Sequence, residues 1–297
     1  MKVAYLGPAG TFSEEALRAS SGERFGEVEL QPQPTIYAAI EAVERGEAER
    51  GFVPFENSIE GTVRPTLDAL AFDTERVRIV GEHDHPIRQA LIAARAIPLS
   101  EVEVVISHPQ ASAQCARFLR DQLPGAEVRA VSSTSDAVRQ VADSEGAWAA
   151  LGSAAAAITY GCTVLEEGVE DGEGNLTRFV WLAPIGAAAP SEDPSARWRT
   201  TLVFFELGED HPGALVDALA ELSSRAINMT RIESRPRRSG LGRYLFFVDL
   251  DGRAEEAIVA AGIDALRGQA ETVRILGSYQ VGGPPPLSTP ESGSKRA

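Results

Sequence analysis

Short apolar runs alternate with stretches of helical periodicity along the first 186 residues. The predicted strands cover residues 3–7, 51–55, 127–131 and 147–153, and residues 102–110 are predicted to form a strand and the turn that ends it. Helices are predicted from Ser13, as N-cap, and over 36–45, 111–122, 135–144 and 154–160. The segment HDHPIRQALIA, residues 83–93, favours a turn that leads into a strand. Strands and helices that alternate in this way indicate an α/β domain with parallel strands.

The pattern changes after residues 187–199, a small, polar, proline-containing stretch that is typical of a linker. A strand over 200–207 precedes a helix with apolar residues at i, i+3, i+4 and i+7, starting from Leu215. Two strands, NMTRIESRP and RYLFFVDL, are followed by a helix over 253–266 and a strand over 271–281. The order βαββαβ predicts a ferredoxin-like domain. The tail, 282–297, has little to bury and is predicted to be disordered.

The charge of the chain restricts its partners. The net charge is −15, and residues 1–199 hold 17 basic and 30 acidic residues. No segment is basic enough for a nucleic-acid footprint, and no apolar run reaches the roughly 20 residues of a membrane helix. The start MKVAYLGPAG is too short to be a signal peptide, and two cysteines provide no disulfide framework, so we expect a cytoplasmic protein. An anionic substrate would need fixed donors against this field.

Three loops combine small, hydroxyl and amide residues at the predicted ends of strands: LGPAGTFS, VPFENSIEGT and ISHPQAS. One such loop is adequately explained by turn and cap residues. Three together indicate a ligand site, because ligands bind at the carboxyl edge of open α/β sheets.

Other chemistries lack a motif in this chain. His108 has no triad partners at a recognisable spacing, and His83 with His85 is weak evidence for a metal. No nucleotide-binding fingerprint is present, so we expect neither metal nor cofactor. Glu56 follows an apolar strand, and the residues alone leave open whether it is a solvated carboxylate or a desolvated acid.

These motifs, taken in order, resemble one family. YLGPAGTFSEEA, VPFENSIEGTV, ISHPQASAQC, GNLTRF, HPGALVDAL and ESRP are similar to the motifs of bacterial prephenate dehydratases, over nearly the whole chain up to about residue 281. The resemblance implies a two-lobed α/β catalytic domain, like type II periplasmic binding proteins, and a C-terminal βαββαβ ACT domain that senses phenylalanine. We expect lobe 1 over 1–76 and 160–186, lobe 2 over 77–159, and the ACT domain over 200–281. The acidic insert before GNLTRF and the proline-rich tail lie outside the shared pattern.

The resemblance also implies an activity, the conversion of prephenate to phenylpyruvate, CO2 and water. A general acid must assist the departure of hydroxide, and a cation paired with the ring carboxylate would oppose decarboxylation. We therefore expect Thr177 to contact the departing hydroxyl, Glu56 to orient or supply the proton, and Arg178 to hold the pyruvyl carboxylate. The implied catalytic residues are Thr177, Glu56, Asn57, Ser107 and Gln114. The expected substrate contacts are Arg178, Phe179, Ser58, Thr62, Thr11 and Ala9. The implied phenylalanine-binding residues are Gly213, Ala214, Leu215, Val216, Glu233, Ser234, Arg235 and Pro236.

Alternatives remain open on the residues alone. A non-catalytic sensor of the same fold would need neither the TRF hydroxyl nor the ENS carboxylate. An arogenate dehydratase would perform the same reaction on an amino analogue of the substrate. A fused chorismate mutase is not expected, since no additional helical segment precedes Met1. The partners that we expect are the substrate, the effector and further copies of the chain, as a homodimer or homotetramer through the ACT and catalytic domains.

Overall fold

A computed structural model describes residues 1–22, 28–187, 196–208 and 212–282. The strands are β1 (Lys2–Leu6), β2 (Glu29–Gln33), β3 (Arg50–Asn57), β4 (Gly61–Thr62), β5 (Val77–Pro86), β6 (Ala90–Ala93), β7 (Val104–Ser107), β8 (Glu127–Ala130), β9 (Trp148–Gly152), β10 (Thr163–Glu167), β11 (Leu176–Pro184), β12 (Trp198–Phe205), β13 (Met229–Pro236), β14 (Tyr244–Asp251) and β15 (Thr272–Gln280). The helices are α1 (Phe12–Ser21), α2 (Ile36–Glu44), α3 (Arg64–Asp68) with a π-helical continuation (Ala69–Asp73), a 3₁₀ turn (Leu99–Glu101), α4 (Pro109–Gln114), α5 (Ala116–Gln122), α6 (Thr134–Ala142), α7 (Ala154–Tyr160), α8 (Ala214–Ser223) and α9 (Ala257–Arg267). Among the described helices, none is long and apolar enough to cross a membrane.

The strands form two sheets. The larger has the order β13-β14-β12-β15-β5-β11-β3-β1-β2, with β4 beside β3, and the smaller has the order β10-β6-β9-β7-β8. Lobe 1 is built on β1–β5 and β11, and lobe 2 is built on the smaller sheet. Strands β12–β15 with α8 and α9 form the predicted βαββαβ domain. The predicted α/β class, the two lobes and the ferredoxin-like domain are confirmed.

Two strands belong to lobes other than those predicted. Residues 77–86, assigned to lobe 2 and partly to a turn, form β5, which pairs with β11 along its whole length in lobe 1. Residues 163–167, assigned to lobe 1, form β10, which pairs with β6 in lobe 2. The chain therefore crosses between the lobes at 87–89 and at 168–175, and not at 76/77 and 159/160. Glu82 of β5 is buried in ion pairs with Arg178 and Arg199, which hides the strand from a hydrophobicity pattern.

The ACT domain shares a sheet and a core with lobe 1. One face of its sheet packs against α8 and α9, through Leu202, Phe204 and Val248 among others. The other face joins the core of lobe 1, where Phe247 and Tyr279 share a cluster with residues of β3 and β11. Within the larger sheet, the ACT strands join the strands of lobe 1 where Gly277 of β15 pairs with Ile79 of β5. A Cβ atom on Gly277 would lie 2.2 Å from the carbonyl oxygen of Ile79, so only glycine permits this approach.

Local caps fix where the helices of the lobes begin. Thr11, and not the predicted Ser13, is the N-cap of α1, and Ser133 Oγ caps α6 by accepting from the Asp136 amide. The predicted helix 111–122 is interrupted at Cys115, which lies outside helical geometry at φ −114°. The carboxylate of Asp171 accepts from the Arg117 amide at 2.9 Å and so caps the second piece.

Part of the predicted linker and nearly all of the predicted tail lie outside the described residues, at 188–195 and 283–297. The described end of the linker is already structured, because β12 begins at Trp198.

Candidate active site

A cleft of about 400 Å³ lies between the two lobes. Residues from both lobes and from the crossing segments line it. The predicted site residues among them are Asn57, Thr62, Gln114, Thr177 and Phe179. The residues that sequence reasoning did not assign include Ser13, Glu60, Gln89, His108, Gln110, Ser133, Thr134 and Asn175.

Thr177 and Asn57 form a hydrogen-bonded pair on adjacent strands of lobe 1. They are register partners of β11 and β3, so their side chains lie on the same face of the sheet. Asn57 Nδ2 donates to Thr177 Oγ1 at 2.9 Å, and Asn57 Oδ1 accepts from the amides of Ile59 and Glu60, both at 2.9 Å. These bonds fix the amide orientation. Because Oγ1 accepts from Asn57, the hydroxyl proton of Thr177 is available for a ligand, and negative charge on Oγ1 would be stabilised.

The floor of the cleft beside Thr177 is apolar and rigid. Phe179 lies two residues along β11 on the same face and stacks on Phe52, with the ring centroids 5.0 Å apart. Its side chain is almost entirely buried. A planar six-membered ring could pack on this surface, beside the hydroxyl of Thr177.

The polar part of the cleft consists of amides, hydroxyls and helix N-termini. The first residues of α1, α4 and α6 line it through Ser13, Gln110 and Thr134. Among the described residues that line the cleft there is no lysine or arginine, and Glu60 is the one carboxylate. Backbone N–H groups and helix dipoles provide a diffuse positive potential that can hold an anion without a point charge.

Arg178 and Glu56 do not face this cleft, and the structure corrects both assignments. Successive residues of a strand point to opposite faces, so Arg178 and Thr177 cannot both face the cleft, nor can Glu56 and Asn57. Arg178 Nη2 lies 2.7 Å from Glu56 Oε2 and 2.8 Å from Asp249 Oδ2, on the side of the sheet that packs against the ACT domain. Glu82 Oε2 lies 3.6 Å from Nη1.

The electrostatics of this cluster keep Arg178 charged. Burial alone would lower the pKa of the guanidinium, but the surrounding Asp249, Tyr279, Glu56 and Glu82 outweigh burial and raise it. Arg178 is therefore a structural cation between the two domains and is not placed to hold a substrate carboxylate.

Four more predicted site residues have structural roles outside the cleft lining. Ser107 is buried in lobe 2, where its Oγ donates to the Leu151 carbonyl at 3.0 Å. Ser58 Oγ accepts from the Leu176 amide at 2.9 Å and braces the second crossing. Thr11 caps α1, and its Oγ1 also donates to the Leu6 carbonyl. The fourth residue, Ala9, contacts lobe 2.

The carbonyl of Ala9 and that of the next residue, Gly10, connect the lobes. The Ala9 oxygen accepts from Ser135 Oγ at 2.5 Å and from the Tyr160 hydroxyl at 3.0 Å. The Gly10 oxygen accepts from Ser153 Oγ at 3.1 Å. Ser135 and Ser153 lie at the N-termini of α6 and α7, and Tyr160 is the last residue of α7, so these three hydroxyls connect the loop before α1 to two helices of lobe 2.

Gln89 is the most informative residue that sequence reasoning missed. Its side chain is 3% exposed, and its Oε1 has no hydrogen-bond partner among the described residues. Its backbone is held on both sides, since the amide donates to Glu170 Oε2 at 2.9 Å and the carbonyl accepts from the Val169 amide at 3.1 Å. Its position in the crossing between β5 and β6 would have pointed to it, had β5 been recognised. Two residues of the acidic run before GNLTRF therefore have structural roles, because Glu170 accepts from the Gln89 amide and Asp171 caps α5.

The predicted effector motifs are divided between two surfaces of the ACT domain. Ala214 and Leu215, after the N-cap Gly213, line a cavity of about 160 Å³ with Tyr244. Val216 is exposed at the side of this helix.

In the second motif, Ser234 and Pro236 are exposed, whereas Glu233 and Arg235 face lobe 1. Glu233 Oε2 accepts from Thr62 Oγ1 at 3.1 Å. Arg235 Nη2 contacts both carboxylate oxygens of Asp68, at 3.0 and 2.9 Å.

Comparisons with known proteins agree with this architecture. The family model described as prephenate dehydratase matches residues 3–185, and the ACT domain model matches residues 201–261. The curated prephenate dehydratase of Mycobacterium tuberculosis (strain H37Rv) is 39% identical over 288 residues, which cover 95% of this chain and 88% of that protein.

Solved structures are also similar over almost the whole chain. The crystal structure of prephenate dehydratase from Arthrobacter aurescens in complex with L-Phe is 35% identical, with a TM-score of 0.85, and covers 98% of this chain and 94% of that one. The structure of GqqA, described as a novel type of quorum quenching acylase, is 30% identical, with a TM-score of 0.82, and covers 95% of this chain and 98% of that one. On this evidence the chain belongs to the prephenate dehydratase family of carbon–oxygen lyases and carries a C-terminal ACT domain.

Proposed function

We propose that this protein converts prephenate to phenylpyruvate, CO2 and water, as a step of cytoplasmic L-phenylalanine biosynthesis. The observation that carries the proposal is the Thr177–Asn57 pair, set above an apolar floor in a cleft whose described lining contains no lysine or arginine. This combination suits a reaction that needs one well-placed hydroxyl and that a cation on the ring carboxylate would slow.

Thr177 assists the departure of the 4-hydroxyl in this mechanism. The C4–O bond breaks, the oxygen takes up one proton and leaves as water. The bond to the ring carboxylate breaks at the same time, CO2 departs, and its electron pair completes the aromatic ring. An alcohol is a very weak acid, so Thr177 acts as a hydrogen-bond donor and relay. Donation from Asn57 to Oγ1 makes the threonine hydroxyl a stronger donor.

The proton itself has to come from a titratable group at the cleft. With Glu56 directed towards the ACT domain, the titratable side chains among the described lining residues are His108 and Glu60. His108 Nδ1 accepts from the Gln110 amide at 3.3 Å, which assigns the proton of a neutral imidazole to Nε2. We propose that one of these two residues supplies the proton, and the pH–rate profiles of His108→Gln and Glu60→Gln identify which.

The substrate carboxylates bind at the helix N-termini of the cleft. The amides at the start of α1 and α6 stabilise charge without the tight pairing that a guanidinium would impose. The ring lies on Phe179, stacked in turn on Phe52.

Regulation by phenylalanine is proposed from the ACT domain. The A. aurescens relative was crystallised in complex with L-Phe, and the present chain has the corresponding fold over 98% of its length. The cavity beside Gly213 and Leu215 is at a helix N-terminus that can receive a carboxylate. We propose that phenylalanine binds there and lowers activity, and that ACT and catalytic domains pair two or four copies of the chain.

Two other activities are considered, dehydration of arogenate and acyl hydrolysis, each on a specific feature of the cleft. The Glu60 carboxylate in the cleft could pair with the ammonium group of arogenate, which makes arogenate the second candidate substrate. The acylase described for the GqqA structure would need an activated nucleophile. No hydrogen bond joins His108 to a hydroxyl among the described contacts of the cleft, so this activity has less support.

The deciding experiment offers prephenate, arogenate and an N-acyl amide separately to the purified protein and measures the product of each: phenylpyruvate from prephenate, L-phenylalanine from arogenate, and the free amine from the amide. Wild-type turnover of prephenate is expected. Thr177→Val preserves the β-branched shape and removes the hydroxyl, so kcat should fall about 100-fold or more with KM within a few-fold. Thr177→Ser should keep most of the activity.

Thr159→Val is the matched control, because Thr159 is an exposed residue of α7. It should behave as wild type. Absence of phenylpyruvate from the wild-type reaction would refute the proposed function, and a Thr177→Val enzyme within tenfold of wild-type kcat would refute the role of the hydroxyl.

A further inference from the structure

We propose that Asp249 of the ACT domain is a positioning residue for Thr177, acting through Arg178, and that this contact transmits the state of the ACT domain to the active site. The inference rests on the proposed function and adds the residues that connect the regulatory domain to the chemistry.

The Arg178–Asp249 contact is buried and close. The Asp249 side chain is fully buried and that of Arg178 is 10% exposed, with 2.8 Å between Nη2 and Oδ2. Thr201 Oγ1 donates to Asp249 Oδ1 at 2.8 Å, and the Tyr279 hydroxyl lies 2.8 Å from Thr201 Oγ1. Two charges that are shielded from water in this way have to be paired. Removal of one partner leaves the other as an uncompensated buried charge, which strongly destabilises the fold. The geometry of Arg178 is therefore tied to the position of β14.

Arg178 and Thr177 are attached to opposite faces of the same strand. Thr177 pairs with Asn57, and Arg178 pairs with Glu56, in consecutive register positions of β11 and β3. The Thr177–Asn57 hydrogen bond in the cleft and the Arg178–Glu56 ion pair at the domain junction thus lie on opposite faces of the sheet at neighbouring positions. A displacement of the guanidinium moves the peptide that carries the threonine side chain.

The pairing of these strands can adjust at this point. The register of β11 on β3 shifts directly after Arg178, which leaves Phe55 as the extra residue of a bulge. The guanidiniums of Arg178 and Arg231 each lie 5.0 Å from the centroid of the Phe55 ring. Bulges bend a strand and redirect side chains, and they occur next to active sites.

A second set of contacts reaches the cleft from the ACT strand β13. Arg231 Nη2 donates to Thr62 Oγ1 at 2.9 Å, and its Nε lies 3.7 Å from Glu56 Oε1. Thr62 Oγ1 in turn donates to Glu233 Oε2, and Thr62 lines the cleft. Both β13 and β14 therefore contact residues of β3, β4 or β11 that belong to the site or adjoin it.

These contacts give the ACT domain a direct physical effect on the active site. Movement of β13 and β14 on effector binding would change the Asp249–Arg178 and Glu233–Thr62 contacts together. An effector can shift the site only by the difference in interaction free energy between two arrangements, and buried, directional ion pairs provide such a difference. Asp249 itself touches no substrate.

The test uses the full-length protein with Asp249→Asn, which keeps the shape of the side chain and removes its charge. Misplacement of a catalytic group lowers kcat without changing ground-state binding, so we expect kcat to fall about tenfold or more with KM within twofold. L-phenylalanine should bind in calorimetry with a Kd within about threefold of wild type. Its maximal inhibition of the residual activity should fall by at least half.

Asp251→Asn is the matched control, since Asp251 is an exposed aspartate of the same strand. Kinetics and inhibition should be unchanged in this variant. Circular dichroism melting establishes whether Asp249→Asn is folded. If it is not, Thr201→Val decides on the same readouts, because it removes the hydrogen bond that orients Asp249 and leaves the ion pair in place.

The outcomes separate this inference from the proposed function. A folded variant with wild-type kcat and full inhibition overturns the role of Asp249. Wild-type protein that does not turn over prephenate refutes the proposed function instead. If the wild type is active but does not bind phenylalanine, the regulatory part is refuted, and the kcat comparison still decides whether Asp249 positions Thr177.

Discussion

At the scale of single residues, the site is defined by which face of a strand each side chain occupies. Thr177 and Asn57 share one face of lobe 1 and point into the cleft. Arg178 and Glu56, their chain neighbours, share the other face and pair at 2.7 Å. The alternation assigns neutral hydrogen-bonding groups to the substrate and charged groups to the domain junction. In the proposed reaction, amides and helix N-termini bind the dianionic substrate of this strongly acidic protein.

Gln89 tests whether a neutral hydrogen-bonding group of the cleft serves the substrate, because its substitution has separate effects on stability and on activity. Gln89→Leu removes a buried amide whose Oε1 has no partner among the described residues, so the melting temperature should stay the same or rise. The 4-hydroxyl is the hydrogen-bond donor that prephenate offers to such an acceptor, so KM should rise about 3- to 10-fold, the effect of one lost neutral hydrogen bond. Thermal melting and steady-state kinetics measure both.

Gln122→Leu, at the exposed end of α5, provides the control and should change neither quantity. A Gln89→Leu variant with lower stability and wild-type KM would show that the amide has a structural role only.

At the scale of elements, the sequence pattern predicts well wherever an element has one apolar face. α7 is predicted to the residue and α2 to within one residue, and the six elements of the ACT domain are found in their correct order. β5 is missed because Glu82 lies buried on it, beside Arg199 from β12. The partner that allows this burial is 117 positions away in the chain. Local periodicity cannot report such a pair.

Prediction of the candidate site was limited in the same way, because local patterns do not report contacts between distant segments. The loops after β3 and β7 and the start of β11 meet at the cleft. The carboxyl-edge argument predicted a site at the loop of Asn57, whereas Gln114 and Thr177 were implied by the family resemblance. The GNLTRF motif by itself did not show which of its residues faces the cleft, although alternation along β11 places Thr177 and Arg178 on opposite faces of the sheet. Gln89 and Asn175 were missed because the crossings between the lobes were predicted at the wrong positions.

The junction between α3 and β13 makes a prediction for acid pH. Burial would raise the pKa of Asp68, but hydrogen bonds from Arg235 and Arg238 outweigh it and lower the pKa below its ordinary value. A carboxylate with a lowered pKa in the folded state stabilises the protein above the unfolded pKa, about 3.9, and loses this contribution as pH falls through the folded pKa. Asp68→Asn should therefore melt lower than wild type at pH 5 and above, and the difference should shrink below about pH 4.

Melting temperatures of both proteins between pH 3 and pH 7 provide the measurement. Asp73→Asn, at an exposed aspartate of the adjoining π-helical segment, is the control and should follow the wild-type curve. A difference between Asp68→Asn and wild type that stays constant down to pH 3 would exclude titration of Asp68 as its cause.

At the scale of the whole molecule, the ACT domain and lobe 1 of the catalytic domain share one sheet. The path from β13 to β2 runs through β15 and β5, so the ACT strands and the strands that carry Thr177 and Asn57 are continuous in hydrogen bonding. The ion pairs of Arg178 and Arg235 lie along the same junction. A change in the ACT sheet then has a short, rigid route to the cleft, without movement of the distant lobe 2.

Gly277 is the residue at which β15 pairs with β5, and a methyl group at this position tests whether the shared sheet connects the ACT domain to the active site. In Gly277→Ala, the Cβ would lie 2.2 Å from the Ile79 carbonyl oxygen and 2.7 Å from its Cβ, so β15 must move away from β5. Overpacking of this kind costs about 1–3 kcal/mol, and we expect the melting temperature to fall by about 3–10 °C. Because the ACT sheet moves with β15, kcat should fall and phenylalanine inhibition should weaken, as in Asp249→Asn. Gly125→Ala, with no atom within 4 Å of its added Cβ, should leave all three quantities unchanged. A Gly277→Ala protein with reduced stability, wild-type kcat and full inhibition would mean that the two domains communicate by a route other than the shared sheet.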